Sequence, residues 1–133
     1  MLRISKLGDY AVVIISTMIK DSSITYSATQ LVVQTGLNLP TVRKVLKQLT
    51  AHEILKGTRG VEGGYAIIAN TEQLSIADVV EAIDGPISLT DCSAHHVYQC
   101  ATTTCTMKPS WSVVNRLVRQ TLVDYKIKTL AQA

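Results

Sequence analysis

The residues best suited to chemistry in this chain are its three cysteines, which all lie between positions 92 and 105 of 133. Three thiolates with one further ligand suit an iron–sulfur cluster, and the gaps between Cys92, Cys100 and Cys105 are wider than the CxxC pairs of most zinc sites. An odd number of thiols always leaves one outside a disulfide framework. Buried structural cysteines and a simple thiol redox switch stay open as alternatives.

The segment that carries these thiols, DCSAHHVYQCATTTC, offers few side chains for a packed core. A bound cofactor would therefore order it, and loss or oxidation of that cofactor would change the shape of the protein. The pattern indicates a sensor segment attached to the rest of the chain.

The elements before the cysteine segment follow the order of a helix-turn-helix. Apolar spacing predicts a helix over residues 7–20, and a capping box that begins at Ser27 predicts a short second helix ending near Gly36. Pro40 opens a third helix, which runs to about His52 and has a basic outer face. This combination is typical of a DNA-binding helix-turn-helix.

A hairpin and two further helices complete the predicted elements. Two β-prone runs, at residues 54–59 and 65–68, flank several glycines and predict a wing. A capping box at Ser75 begins the next helix, and a helix over about 110–125 has apolar residues near heptad spacing. The fold class is therefore mainly α with a small β-hairpin: a winged helix-turn-helix plus a long C-terminal dimerisation helix.

Several polar side chains of these elements are candidates for DNA contacts. The N-terminal residues of a recognition helix reach base edges, and an arginine on a wing suits the narrow minor groove. Residues 1–68 hold eight basic side chains against four acidic ones, whereas residues 69–133 hold five against six, which favours a polyanion partner for the first half. The candidates are Thr41, Arg43 and Lys44 for bases, Arg59 for the minor groove, and Ser5 and Lys6 for the DNA backbone.

Other classes of protein are disfavoured by what the chain lacks. No apolar run reaches the roughly 18–20 residues of a membrane span, and the charged start does not resemble a secretory signal, so we expect a cytoplasmic protein without a membrane partner. The sequence has no CxxC pair, HExxH, phosphate-binding GxxxxGK or nucleophile elbow. We therefore expect neither an enzyme nor a small-molecule substrate.

Nearly the full length resembles the IscR/NsrR-type winged-helix regulators, most of all those that control SUF-type iron–sulfur assembly operons. The resemblance is carried by LRISKLGDYAV, LNLPTVRKVLKQL, TRGVEGGY, LSIADVVEAIDGPISLTDC and the cysteine triplet. It implies a homodimer on palindromic double-stranded operator DNA. The DNA would be read by Pro40, Thr41, Arg43, Lys44, Arg59 and Gly60, and the C-terminal helices would pair through Trp111, Val114, Val118 and Leu122.

The resemblance also implies that Cys92, Cys100 and Cys105 ligate a [2Fe–2S] or [4Fe–4S] cluster together with a fourth, non-cysteine ligand. Asp9 matches an aspartate that reaches across the dimer in some members of that family. His95 and His96 are alternatives within the cysteine segment itself. Lys108 stands where members with a binuclear cluster can carry a histidine.

We therefore expect a winged helix-turn-helix domain over residues 1–85, a cluster segment over 86–109, and a dimerisation helix with a C-terminal tail over 110–133. The expected function is that of an iron–sulfur-sensing repressor, with iron–sulfur cluster assembly genes as targets. The alternative is a cluster-free DNA-binding regulator whose cysteines act as a thiol redox switch.

Overall fold

A computed structural model describes residues 2–93, 100–102 and 104–132 of the chain. Its elements follow the predicted order, and the mainly helical fold with one antiparallel hairpin is confirmed. The elements are α1 (Lys6–Ile19), α2 (Ala28–Thr35), α3 (Leu39–Ala51), β1 (Leu55–Thr58), β2 (Gly64–Ile67), α4 (Ile76–Asp84), a 3-10 turn (Asp91–Ser93), α5 (Lys108–Asp124) and α6 (Ile127–Ala131).

Side-chain caps set where several of these helices begin. The two predicted capping boxes form at Ser27 and Ser75, where each serine accepts a backbone N–H of the first turn and the side chain three residues on accepts the serine N–H in return. Helix α3 begins one residue before Pro40, because Asn38 Oδ1 accepts the Thr41 N–H at 2.9 Å. Gly36 ends α2 with a φ of 75°, a conformation that costs glycine little.

The hydrophobic core lies where α1 meets α3, α4 and α6. Apolar residues on one face of each helix meet there, and burying each large side chain contributes roughly 1.5–3 kcal/mol. The largest side chains with no appreciable exposure are Ile14, Ile15, Met18, Leu31, Leu46, Leu49, Leu55 and Ile127.

The wing is a two-stranded hairpin with a third segment beside it. Leu55 pairs with Ile67 and Thr58 with Gly64. Tyr26, which precedes α2, exchanges both backbone hydrogen bonds with Tyr65 of β2, at 2.8 and 2.7 Å. The wing is thereby tied to the start of the helix-turn-helix.

The stretch after α5, which the sequence analysis described as a C-terminal tail, forms the short helix α6 and packs into the core. Ile127 of α6 is fully buried, and its N–H donates to the Leu74 carbonyl at 2.9 Å. The Ile76 N–H donates to Tyr125 O at 3.0 Å, which joins the same stretch to the start of α4. Among the described residues, none of the helices combines the length and apolarity needed to cross a bilayer.

Candidate nucleic-acid interface and cysteine segment

The outer face of α3 carries exposed cations above a fully buried apolar face. Val42, Val45 and Leu46 face the core, so the intervening Arg43 and Lys44 point away from it and are exposed. Within the described part of the chain the ion pairs are Arg119–Glu81 and Lys128–Glu72. No carboxylate described there neutralises the α3 cations, which leaves their charge available to a polyanion.

The start of α3 presents the other two candidates in this helix. Pro40 is exposed, and Thr41 is half-buried with its backbone N–H already used by Asn38. Because Asn38 caps the helix, its first turn is held in place by a local hydrogen bond rather than by packing alone. This fixes the end of α3 from which side chains of a recognition helix reach base edges.

The tip of the wing carries Arg59 and Gly60, both exposed. The turn behind them is tight, since Gly63 donates its N–H to Gly60 O at 3.0 Å. A Cβ on Gly63 would lie 2.4 Å from the Thr58 carbonyl oxygen, much closer than atoms can pack. Gly63 therefore serves the internal geometry of the turn.

Ser5 and Lys6 lie at the start of α1, where Lys6 is exposed. The Ser5 hydroxyl donates to Asp84 Oδ1 at 2.5 Å and accepts the Gly8 N–H at 3.0 Å. A hydroxyl has one proton, and DNA phosphate oxygens can only accept. Ser5 would have to leave Asp84 to donate to a phosphate, so its clear role in this structure is to cap α1.

None of the three cysteines forms a disulfide, and they lie in different environments. Cys92 is half-buried in the 3-10 turn, where its Sγ is 3.2 Å from Thr90 Oγ1, whereas Cys100 and Cys105 are exposed. Asp9 is exposed in the first turn of α1. His95 and His96 lie outside the described residues.

The chemical type of these ligands suits a soft metal centre bound by thiolates, because one segment between two helices carries three thiols. Over residues 2–93, 100–102 and 104–132, however, no three His, Cys, Asp or Glu side chains come together as metal ligands. The structure therefore does not assemble a metal site from the described cysteines and Asp9. The cluster site stays a prediction.

Helix α5 exposes most of its apolar side chains. Trp111 and Val114 are about two-fifths exposed, at 40% and 41%, whereas Val118 and Leu122 are half-buried. Trp111, Val118 and Leu122 line one wall of a groove of about 940 Å³, and Leu2 and Ile4 of the N-terminal segment line another. Exposed apolar side chains gathered along one helix beside such a groove are typical of an interaction surface.

The structure also reveals polar residues that the sequence analysis did not single out. Asn115 is buried on α5, and Glu81 of α4 forms a two-point ion pair with Arg119 of α5, at 2.7 and 2.9 Å. The hydrogen bond from Arg119 lowers the pKa of Glu81, burial opposes that shift, and the Ile87 N–H adds to it. The available signal was an asparagine within the apolar pattern of α5, four residues after Trp111.

Residues 4–133 match the family model described as Rrf2, an iron-dependent transcriptional regulator. A 57-residue stretch, 43% of this chain, is 28% identical to the HTH-type transcriptional regulator IscR of Sodalis glossinidius, and the chain spans about a third (34%) of the length of that curated relative. CymR, the global cysteine regulator of B. subtilis, superposes with a TM-score of 0.74 at 21% identity, over 99% of this chain and 98% of that one. T. potens IscR gives a TM-score of 0.71 at 18% identity, over 98% and 88%. At such identities the two structures establish a common fold.

Proposed function

This chain belongs to the Rrf2 family of transcriptional regulators, and from that premise we propose that it is a dimeric repressor that senses an iron–sulfur cluster. Members of this family are regulators rather than enzymes, in agreement with the sequence analysis. The division of work that we propose is DNA reading by residues 1–85, sensing by 86–109, and pairing of two copies through the helix that follows.

The observation that carries the DNA-binding part is the charge on α3. Arg43 and Lys44 are exposed, and neither forms an ion pair with a carboxylate of the described residues. The opposite face of their helix is fully buried. Helix α3 fits the major groove, with Pro40 and Thr41 at its leading end. The tight turn of the wing carries the exposed Arg59 and Gly60, which would approach the minor groove, and the exposed Lys6 at the start of α1 would contact the DNA backbone.

The pairing of two copies is supported by the apolar face of α5. In a two-fold dimer the same face is used by both partners, which would cover Trp111, Val114, Val118 and Leu122. A DNA-binding dimer with two-fold symmetry requires a palindromic operator, whose half-sites are spaced by about one helical turn of DNA. A small change in the relative orientation of the two winged helix-turn-helix domains would therefore alter the affinity of the dimer for DNA.

The sensing part is supported by the number, softness and placement of the thiols. Cys92, Cys100 and Cys105 would hold a [2Fe–2S] or [4Fe–4S] cluster, with Asp9 from the second copy or a histidine of the cysteine segment as the fourth ligand. Bound there, such a cluster supplies a centre that is sensitive to oxidants and iron supply. Genes for iron–sulfur cluster assembly are the targets that we propose, and the cytoplasm is the compartment, where free thiols stay reduced.

A cluster-free thiol switch is the second candidate. It is favoured by one observation: over the described residues the thiols belong to no group of three or more metal-binding side chains, and two of them are exposed. Exposed thiols are accessible to oxidants and to disulfide exchange, provided that they are reactive as thiolates. Iron and acid-labile sulfide in protein purified without oxygen would favour the cluster, whereas their absence after reconstitution would favour the thiol switch.

The DNA-binding part is tested by selecting duplexes from a random pool and then measuring affinity by fluorescence anisotropy. Arg43→Ala should relax preference at one base position per half-site, at a cost of roughly 1–3 kcal/mol. Arg59→Ala should weaken binding and reduce the salt slope by about one phosphate-equivalent if it meets the backbone. Lys20→Ala, at the exposed end of α1, is the matched control and should bind as the parent does. Unchanged affinity in both arginine variants contradicts the docking of α3 and the wing.

A further inference from the structure

A buried side-chain amide joins α5 to residues 87–89, which lead into the cysteine segment. Asn115 is 7% exposed, and it is the buried residue on a helix whose other described side chains are exposed or half-buried. Its Nδ2 donates to the Ile87 carbonyl at 3.0 Å, and its Oδ1 accepts the Leu89 N–H at 2.7 Å. Asn115 thus pairs with the backbone stretch at residues 87–89 in the way that a neighbouring strand would.

A second anchor holds the same stretch from α4. Glu81 Oε1 accepts the Ile87 N–H at 3.2 Å and the Arg119 Nε–H at 2.7 Å. Both backbone polar groups of Ile87 are therefore engaged, one by a residue of α4 and the other by a residue of α5. The position of the stretch relative to α5 is set by these side chains.

A short chain of hydroxyl groups connects the sulfur of Cys92 to Asn115. Thr90 Oγ1 lies 3.2 Å from Cys92 Sγ and 3.0 Å from Ser93 Oγ, to which it is placed to donate. Ser93 Oγ donates to the Thr90 carbonyl at 2.9 Å and also lies 3.5 Å from Asn115 Oδ1. The Thr90 N–H donates to the same Ser93 oxygen at 3.1 Å.

The direction of these hydrogen bonds depends on whether the sulfur carries a proton. Thr90 has one hydroxyl proton, so when it donates to Ser93 the thiol of Cys92 is the donor to Thr90. A sulfur bonded to a metal ion or to a second sulfur has no proton to give. The Thr90 hydroxyl then has two alternatives. It can turn its proton from Ser93 to the sulfur, so that Ser93, which lies beside Asn115, no longer accepts that hydrogen bond. It can otherwise keep its bond to Ser93 and lose the hydrogen bond with Cys92.

We propose that Thr90 and Ser93 transmit the covalent state of Cys92 to Asn115, which acts as a positioning residue for α5. The link would let a change at the sensing segment reach the helix that pairs the two copies, and this consequence rests on the proposed function. The link itself concerns Cys92 and α5 and is testable without DNA.

The test uses full-length protein with Cys100→Ser and Cys105→Ser, so that Cys92 is the remaining thiol. Methyl methanethiosulfonate transfers its CH3S group to the Cys92 thiolate and releases methanesulfinate, which replaces the S–H by an S–S bond. Amide hydrogen exchange over residues 111–119 should then accelerate by about twofold to tenfold, the equivalent of one neutral hydrogen bond. Amides of α1 should not change, because a global loss of stability would affect them as well.

Two variants decide whether the hydroxyl chain carries the effect. Thr90→Val keeps the side-chain shape and removes both hydroxyl contacts, and Ser93→Ala removes the next group; in each, modification of Cys92 should leave exchange in α5 unchanged. Thr121→Val, which removes an exposed hydroxyl bonded to the Leu117 carbonyl within α5, is the matched control and should keep the response. Both test variants avoid Asn115, whose burial makes its replacement a risk to folding.

The outcomes separate this inference from the proposed function. An undiminished response in Thr90→Val and Ser93→Ala, or no response in the parent, overturns the link. A response that these variants abolish, together with DNA affinity that is indifferent to the state of the cysteines, supports the link and overturns the proposed sensing.

Discussion

The carboxylate of Asp84 accepts hydrogen bonds from both the hydroxyl and the backbone N–H of Ser5, at 2.5 and 3.3 Å. The last residue of α4 thereby closes the first turn of α1, although the two residues are 79 positions apart in the chain. Gly8 permits this approach, since a Cβ there would lie 3.0 Å from Asp84 Oδ2. The start of α1, in the proposed DNA-binding domain, is thus joined to the end of α4, from which the chain continues toward the cysteine segment.

Replacing Asp84 by alanine should lower the free energy of unfolding by about 1–2 kcal/mol, because both bonds to a charged acceptor at a partly solvated site are lost. Urea denaturation followed by circular dichroism measures this change. Asp91→Ala, at an exposed aspartate of the 3-10 turn, is the matched control and should stay within about 0.5 kcal/mol of the parent. Equal losses in the two variants would show that the contact with Ser5 contributes nothing specific.

The Glu81–Arg119 pair should make stability depend on pH in the acid range. The hydrogen bond from Arg119 lowers the pKa of Glu81 in the folded protein. The carboxylate therefore adds stability above the ordinary glutamate value of about 4.3, and that stability is lost as the pH falls through the lower folded pKa. Glu81→Gln should cost about 0.5–1 kcal/mol at pH 7 and progressively less below about pH 4.

Urea unfolding of the parent and of Glu81→Gln across this pH range measures the dependence. Glu72→Gln, which removes the more exposed partner of Lys128, is the control and should change stability little at any pH. A difference between the parent and Glu81→Gln that is constant with pH contradicts the role assigned to the ion pair.

Gly63→Ala should distort the wing, because the new Cβ would meet the Thr58 carbonyl oxygen at 2.4 Å and Gly60 O at 2.9 Å. Relieving contacts with rigid backbone costs roughly 1–3 kcal/mol, and we expect DNA affinity to fall with it. Gly57→Ala in β1 is the control, since its Cβ would meet only Tyr65 ring atoms at ordinary distances of 3.4 and 3.7 Å, besides a backbone oxygen at 4.0 Å. Thermal unfolding and anisotropy titration measure the two effects, and an affinity that survives Gly63→Ala would remove the wing from the interface.

Ile127→Ala should destabilise the protein by about 2–5 kcal/mol, because this side chain of α6 is fully buried in the core. Ile24→Ala, at a position that is 45% exposed, should cost much less. Denaturant unfolding compares them. Similar losses in both would mean that α6 is not part of the cooperative core.

The sequence predicts the elements whose signals are local. The capping boxes at Ser27 and Ser75, the glycine at 36 and the apolar faces of α1 and α3 are each contained in a few neighbouring residues, and the structure confirms the elements they predict. The heptad-like pattern of α5 likewise predicts its extent to within two residues of Lys108–Asp124.

The features that escaped prediction depend on contacts between distant positions. Helix α6 is five residues long and has no capping side chain, so its burial against α1 decides its structure. The role of Asn115 depends on backbone groups 26 and 28 residues away. The cysteine spacing indicates a class of ligand, but only folded geometry can show which side chains converge.

The central claim, that the state of the cysteine segment sets affinity for DNA, is tested most directly by one anisotropy titration. A selected duplex is titrated without oxygen with reconstituted protein, with the same protein after iron chelation, and with a variant in which all three cysteines are serine. The account predicts affinities of the first two that differ by about 5- to 150-fold, as expected for a coupling of 1–3 kcal/mol, and a variant that no longer responds to reconstitution. The same affinity in all three samples would contradict it.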